Sequence, residues 1–284
     1  MTNNWWPGEI LGPPLYPEGT NADVMFVNAL VSFYEFNPIV ENELIYRSQQ
    51  YGKHLEVFFL DMRSYREPNT DNLDPNGIDM MGPVQLKWLQ DALLKSTATW
   101  KIISMHDPVG LVTGGAGDYD SWGQNDAAIL GRELELQALL AFIKANNIEN
   151  MVMLTSDVHS AAVTSYNPAR ATFKGFNMFY EFCIGPIHAG AFGFQNLDPS
   201  FGPNYDYVRA PSTEGLPANL PPPNLSSFGH VSISSAGVMM MSIIDVTGKP
   251  LYTKEFIPAV NTGGNTSGGK KPTGKNGKKK IGGK

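Results

Sequence analysis

Three short apolar segments, each followed at once by polar residues, dominate the hydrophobic pattern of the first 160 residues. They span 55–60, 100–105 and 151–155, and such near-continuous apolar runs are typical of parallel strands that are buried on both faces. Two stretches of helical periodicity separate them. One begins at Pro83, and the other spans about 125–146. This β-α-β-α-β order predicts right-handed crossovers and a parallel set of strands.

The rest of the pattern predicts one further helix and a region of short strands. Residues 21–36 are periodic and apolar and follow Asn21, a good N-cap residue, so they predict a helix. After residue 160 the pattern predicts a hairpin around 235–237 and a strand at 251–256. The Pro/Gly/Asn-rich stretch 185–227 is too long for a simple connection, and we expect it to cover the rim of the sheet.

Charge divides the chain into an acidic body and a basic tail. Residues 261–284 hold seven of the 21 basic residues and none of the 27 acidic ones, so the body carries 14 basic against 27 acidic residues, a net charge of −13. We therefore expect one domain over residues 1–260, followed by a disordered Lys/Gly-rich tail over 261–284. The tail is either a solubilising extension or a contact for acidic partners, and the acidic body argues against nucleic-acid binding.

The remaining composition limits where and how the chain works. A single cysteine, Cys183, excludes an internal disulfide and is expected in the core. No apolar run reaches 18 residues, so no membrane span is predicted. The first residues lack the basic and apolar regions of a secretory signal peptide, and the sequence leaves the cellular location undetermined.

Candidate metal ligands stand where the predicted strands end. Asp157 and His159 follow the third strand and His106 follows the second, and ligands of α/β sheets bind at the carboxyl ends of strands. An imidazole with carboxylates suits a cation that accepts nitrogen and oxygen ligands. The alternative is structural: Asp157 caps a turn, His159 packs on the sheet edge and His106 bonds to a loop.

Several motifs resemble those of the PhoD-type alkaline phosphatases, a family of calcineurin-like metallophosphoesterases. Ser156–Ser160 is similar to the family's Gly-Asp-Val-His-Ser element, with Ser for Gly, and Leu60–Arg66 matches its Leu-Asp-x-Arg-x-Tyr-Arg element. The resemblance also includes the segments Phe33–Pro38, Tyr46–Arg47, Gln85–Leu89, Asp120–Trp122 and Glu181–Pro186.

The resemblance implies a fold, a reaction and a ligand set. The expected fold is a mixed α/β metallophosphoesterase-like sheet sandwich flanked by helices. The expected activity is metal-dependent hydrolysis of a phosphate ester, in which a metal-activated water attacks phosphorus. Iron and calcium are the metals that the family favours, with zinc or manganese as alternatives. Asp157 and His159 are the expected ligands, and one of Asn3 and Asn4, taken here as Asn4, is a third.

Other residues of these motifs have two interpretations each. Arg63 and Arg66 are expected to hold phosphate, because a guanidinium fork matches its oxygens. The alternative is a buried ion network that they form with Asp61. His106 is expected to be catalytic, either as a metal ligand or as the acid that protonates the leaving group.

By its motifs the chain resembles the C-terminal two-thirds of the family domain. The family's acidic-His cluster and Gly-Asp-x-x-Tyr loop have no match here, so we expect an N-terminally truncated domain. Its remaining ligands come either from a separate chain or from a longer reading frame in which Met1 is not the true start. The competing hypothesis is a non-catalytic remnant or binding module on the same fold. The substrate, the choice between monoesterase and diesterase, the oligomeric state and the family's usual export are open at this stage.

Overall fold

A computed structural model describes residues 2–40, 44–217, 219–221 and 223–259. The predicted basic tail lies outside these described residues. The described residues form three sheets, three α-helices and two short 3-10 turns. Two very short strands, β1 (Ile10–Leu11) and β2 (Thr20–Asn21), pair within the N-terminal arm. Within the part of the chain that is described, no helix has the length and apolar character needed to cross a bilayer.

A seven-stranded mixed sheet forms the centre of the molecule. Its strand order is β3-β4-β5-β6-β8-β7-β9, and β4, β5, β6 and β8 run parallel to one another. The strands are β3 (Arg47–Tyr51), β4 (Leu55–Phe59), β5 (Trp100–Ser104), β6 (Met151–Thr155), β7 (Ala161–Tyr166), β8 (Phe179–Cys183) and β9 (Pro203–Arg209). The three strands predicted from apolar runs are therefore confirmed, together with their parallel order.

Two of the three described helices, α2 (Gly82–Lys95) and α3 (Glu133–Ala145), cover one face of this sheet. The helix α1 (Ala22–Phe36) begins at Asn21, whose side chain accepts a hydrogen bond from the backbone of Asp23 at 2.8 Å. The helices α2 and α3 pack on the sheet through Leu89, Leu93 and the inward leucines of α3. Pro83 lies in the first turn of α2, where its missing N–H costs no hydrogen bond.

A second, three-stranded antiparallel sheet covers the opposite face. It consists of β10 (Ser227–Ile233), β11 (Met239–Asp245) and β12 (Pro250–Phe256), in the order β10-β11-β12. Alternate residues of the central strands face the two sides: Phe58 contacts the helical core and Val57 the small sheet. The result is a mixed α/β sheet sandwich flanked by helices, and the hairpin around 235–237 is confirmed.

Two predictions about the elements were wrong. The helix expected over 125–146 begins only at Glu133, because the Asp198 carboxylate accepts hydrogen bonds from the backbone N–H groups of Gln124, Asn125 and Asp126 and holds them in a loop. The stretch 185–227 is not one long loop, since it contains β9 and two 3-10 turns. Part of this stretch does reach the rim, as described below.

Candidate functional site

The ends of β4, β5 and β6 gather the predicted site residues at one edge of the central sheet. Asp157 and His159 follow β6 in left-handed backbone, with φ of 74° and 54°. Such a φ is uncommon for residues with a side chain and is found where the surrounding structure enforces it. The sharp turn takes both residues out of the strand direction and directs the chain into β7.

The first candidate pocket, called the rim pocket here, has a volume of about 240 Å³. All three predicted ligands line it: Asp157, His159 and Asn4. Its other lining residues are Asn3, Thr113, Gly114, Asp120, Val158, Phe192 and Gln195. The structure thus brings the N-terminal arm, the end of β6 and the segment 192–195 together, so part of the 185–227 stretch does lie at the rim. Whether these residues bind a metal stays a prediction.

His159 is oriented by two contacts. Its Nδ1 lies 2.7 Å from the carbonyl oxygen of Gly190, and its ring stacks on Phe192 with centroids 4.1 Å apart. A carbonyl oxygen only accepts, so Nδ1 carries the proton and donates. Nε2 is then the nitrogen with a free lone pair, and this arrangement of a ring N–H on a backbone carbonyl is typical of metal-ligating histidines.

An acidic cluster lies beside the rim pocket. Carboxylate oxygens of Asp107, Asp120 and Asp157 lie within 4.8 Å of one another. Burial, and then Asp120, raise the pKa of Asp107 to about 7. Partial loss of water around its carboxylate, and then the charges of Asp107 and Asp120, raise the pKa of Asp157. The residue as a whole is nevertheless exposed. The three carboxylates therefore repel one another, and a bound cation would relieve that repulsion.

Arg66 lies within this cluster and not at the pocket surface. Its fully buried guanidinium donates to Asp120 Oδ1 at 2.7 Å and lies 3.6 Å from Asp107 Oδ2. Burial alone would raise the pKa of Asp120, but Arg66 holds it below its ordinary value. This placement favours the buried ion network over contact with substrate. Asp61 is not part of that network, because its Oδ1 accepts from the backbone N–H groups of Arg63 and Ser64.

Arg63 is better placed to meet a substrate. Its side chain is 28% exposed, and Nη1 lies 4.0 Å from Asp120 Oδ1, too far for a hydrogen bond. Among the described residues Nη1 has no hydrogen-bond acceptor. Arg63 lines a second pocket of about 380 Å³, called the apolar pocket here. Its walls come mainly from α1 and from the segment 60–64. The prediction that Arg63 holds phosphate is compatible with this position.

His106 also lines the apolar pocket, next to the acidic cluster. Its Nε2 lies 3.2 Å from Asp107 Oδ2. Burial, and then the positive charges of Arg63 and Arg66, lower the pKa of His106 to about 3. The imidazole is therefore neutral at neutral pH, which favours the ligand or hydrogen-bonding alternative over the acid that protonates a leaving group.

Two contributors were not recognised as site residues from the sequence. Asp120 lies in the Asp-x-Trp motif, but that motif alone does not reveal its contact with Arg66. Glu181 of β8 is fully buried and accepts hydrogen bonds from Val109 N at 2.8 Å, from Thr155 Oγ1 at 2.7 Å and from Tyr166. It thereby joins the loop after β5 to the end of β6, although it touches neither pocket.

The residues present fit a cation on the chemistry of their donors. Asp107 is fully buried, and among the described residues its oxygens make ion-pair contacts to Arg66 and His106 Nε2 but accept no hydrogen bond of good geometry. His106 Nε2 likewise has no well-formed hydrogen bond. Buried polar atoms without partners are uncommon and call for an explanation such as an ion. The close group of ligand atoms consists of Asp107, Asp120 and Asp157, while His159 lies in the rim pocket with Asp157 and His106 lies beside Asp107. Carboxylate oxygens with imidazole nitrogens nearby suit iron, zinc, manganese or calcium.

The fold and this rim define an α/β sheet-sandwich protein with a polar, carboxylate-rich edge. A family model described as PhoD-like phosphatase matches residues 1–238, and the chain belongs to that family. Family membership supports phosphoesterase function and suggests metal ions as cofactors.

Individual relatives agree with this assignment. The chain is 27% identical over 155 residues to alkaline phosphatase D of Bacillus subtilis (strain 168), an alignment that covers 47% of this chain and 25% of the relative. A solved structure entitled "Structure of PhoD" superposes with a TM-score of 0.53 and 19% identity, covering 92% of this chain and 54% of the other. The second likeness supports the fold alone. The chain spans about a quarter of the first relative and about half of the second.

Proposed function

We propose that this chain provides part of the active site of a metal-dependent phosphoester hydrolase. The observation that carries the proposal is the convergence of Asp157, His159 and Asn4 on one pocket, beside an acidic cluster with unpartnered oxygens. Asp157 and His159 come from a strained turn and Asn4 comes from the N-terminal arm. No single helix or strand would bring these three side chains together.

The roles of the residues follow from their positions. Asp157 Oδ and His159 Nε2 would hold the cation, with an Asn4 side-chain oxygen as a further ligand. When bound, such a cation polarises a phosphoryl oxygen and lowers the pKa of a coordinated water. Arg63 would hold a phosphate oxygen through its partly exposed guanidinium. Arg66 keeps Asp107 and Asp120 in place by neutralising them.

His106 would act as a neutral imidazole next to the phosphate. With its pKa lowered to about 3, it does not carry the proton that a general acid needs at neutral pH. It can instead accept a hydrogen bond or bind the cation through the unpartnered Nε2. The proton that the leaving alcohol requires would then come from water.

Metal content and hydrolysis test the proposal. The purified chain should retain iron, zinc, manganese or calcium after dialysis, as measured by elemental analysis. It should hydrolyse p-nitrophenyl phosphate when a segment with the family's acidic-His and Gly-Asp-x-x-Tyr motifs is supplied. Asp157→Ala should lower the rate by about 100-fold or more and release the metal. Glu255→Ala, on the exposed side of β12, is the matched control and should change neither.

Hydrolysis that survives Asp157→Ala would refute the role given to that residue. A chain that binds none of these metals, with or without the added segment, would instead favour the non-catalytic binding module.

We also propose that a separate polypeptide segment completes the site. Supporting observations are the exposed apolar residues Val24, Val27 and Val31 on α1, and the outer edge of β10, with which no described strand pairs. The segment would cover these surfaces and add ligands to the rim pocket. Co-purification of such a segment with the full chain should be weakened by Val27→Glu, whereas free migration of the two species would contradict the proposal.

A further inference from the structure

The apolar pocket ends at the residues proposed to meet phosphate. Its walls are aromatic and aliphatic, and its polar lining is confined to Asp61, Arg63, Ser64 and His106. The apolar lining residues are Trp5, Phe26, Ala29, Leu30, Phe33, Ile45, Leu60 and Met62. Ligand sites commonly combine such a wall with a few polar groups that fix orientation.

Half of the apolar lining residues of this pocket come from one face of α1. Phe26, Ala29, Leu30 and Phe33 have the spacing of a single helix face, and all four are half-buried. Trp5 stacks on Phe26 with ring centroids 4.6 Å apart and is itself buried. The rings are therefore held in place without filling the space between α1 and the end of β4.

The apolar pocket and the rim pocket adjoin each other. Arg63 lines the first and Asp120 the second, and Arg63 Nη1 lies 4.0 Å from Asp120 Oδ1. His106 gives a second connection, because its Nε2 lies 3.2 Å from Asp107, a member of the acidic cluster. An ester whose phosphate lies beside Arg63 and His106, next to the rim pocket, can thus place its organic group between α1 and Leu60.

From this juxtaposition we infer that the substrate is a phosphate ester of an aromatic or branched apolar alcohol, whose organic group occupies the apolar pocket. The inference rests on the proposed function. The guanidinium of Arg63, whose side chain is 28% exposed, lies at the polar end of the pocket, and the apolar wall would receive the ring. The polar and apolar ends of the ester thus match those of the pocket. In the hydrolysis, the water oxygen bonds to phosphorus, the ester P–O bond breaks and the alcohol leaves with a proton from water.

Two non-hydrolysable ligands test the pocket apart from catalysis. Phenylphosphonate and methylphosphonate share the anionic group and differ only in the ring. Titration calorimetry on the full chain, with manganese present, should show phenylphosphonate binding about tenfold tighter or more, since burial of a ring removes apolar area from water.

Variants of α1 locate the effect. Phe33→Ala should remove most of the preference for the phenyl compound, and Ala29→Trp should abolish it by filling the pocket, while methylphosphonate affinity stays unchanged in both. Phe36→Ala is the matched control, because Phe36 lies on the same helix but is 85% exposed and outside the pocket. Arg63→Ala should weaken both ligands. Circular dichroism confirms that each variant folds.

The outcomes separate the two proposals. If methylphosphonate binds and phenylphosphonate binds no tighter, the pocket inference is wrong while the phosphate site stands. If the preference persists in Ala29→Trp, the ring binds elsewhere and the inference is also wrong. If neither phosphonate binds, the proposed phosphate site fails and the inference fails with it.

Discussion

At the scale of single residues, buried polar groups decide how the rim is built. Glu181 accepts from Val109, Thr155 and Tyr166, and Tyr166 in turn accepts from Gly110 N at 2.8 Å. Burial raises the pKa of Glu181, and these hydrogen bonds oppose that rise. The Glu181 carboxylate therefore stabilises the fold by accepting hydrogen bonds from buried donors that water cannot reach.

Replacing Glu181 should show the cost of leaving those donors unpaired. Glu181→Leu is expected to lower the free energy of unfolding by about 2–4 kcal/mol, because the Val109 N–H and two hydroxyls lose their acceptor in a buried site. Glu181→Gln, which keeps one acceptor oxygen, should cost less. Urea denaturation measures both, and exposed Glu255→Leu should stay within about 0.5 kcal/mol of wild type. Equal effects of all three substitutions would contradict this account.

At the scale of elements, the helices differ in how much of their surface is covered. Leu89 of α2 is fully buried against the central sheet, whereas Val27 of α1 is 60% exposed. Both residues belong to apolar patterns of similar periodicity. The hydrophobic periodicity thus predicted both helices. It did not reveal that, among the described residues, the apolar face of α2 is covered while Val27 of α1 stays exposed.

This difference gives a paired prediction. Leu89→Ala should lower the free energy of unfolding by about 2–5 kcal/mol through lost contacts and a cavity. Val27→Gln should change it by less than about 0.5 kcal/mol in the isolated chain. Thermal and urea unfolding of the two variants make the comparison. A large loss for Val27→Gln would mean that the outer face of α1 is packed after all.

The elements also show why the sequence predicted some strands and not others. The strands β4, β5 and β6 were predicted almost to the residue, because a strand buried on both faces is apolar throughout. The strand β3 reads Arg-Ser-Gln-Gln-Tyr and lies at the sheet edge, exposed over most of its length, so it carries no apolar signal. The late start of α3 depends on Asp198, a residue too distant in sequence for any local pattern to reveal.

For the site, residue types and strand ends predicted that Asp157 and His159 lie together, whereas the family resemblance alone predicted Asn4. All three line one pocket, and their role as metal ligands stays a prediction. The contact of Arg66 with two aspartates and the links of Glu181 were not predictable, because both depend on which strands are neighbours in the sheet.

At the scale of the whole molecule, buried carboxyl groups couple stability to pH, and Glu133 does so over the widest pH range. Glu133 at the start of α3 accepts from Gln124 Nε2 at 3.1 Å and Ser200 Oγ at 3.0 Å, and its Oε1 has no partner among the described residues. Burial, and then the charge of Asp198, raise the pKa of Glu133 from 4.5 to about 10. The folded protein therefore holds a proton that the unfolded chain releases above its ordinary pKa.

The sign of the pH effect follows from this proton. Between pH 4.5 and about 10 the folded state binds more protons than the unfolded state, so stability falls as the pH rises through this window. Glu133→Gln should flatten the decline, and its advantage over wild type should grow between pH 6 and pH 9, at a limit of about 1.4 kcal/mol per pH unit. Urea midpoints at the two pH values measure it, with Glu255→Gln as the control. A parallel decline in wild type and Glu133→Gln would show that another group is responsible.

The position of Glu181 has a further consequence for how the molecule responds to heat. Its three hydrogen-bond donors belong to the strand that precedes Asp157, to the loop that carries His106 and to the neighbouring strand β7. Warming should therefore not loosen the rim while the sheet remains ordered. Rim and core are expected to melt in a single cooperative step.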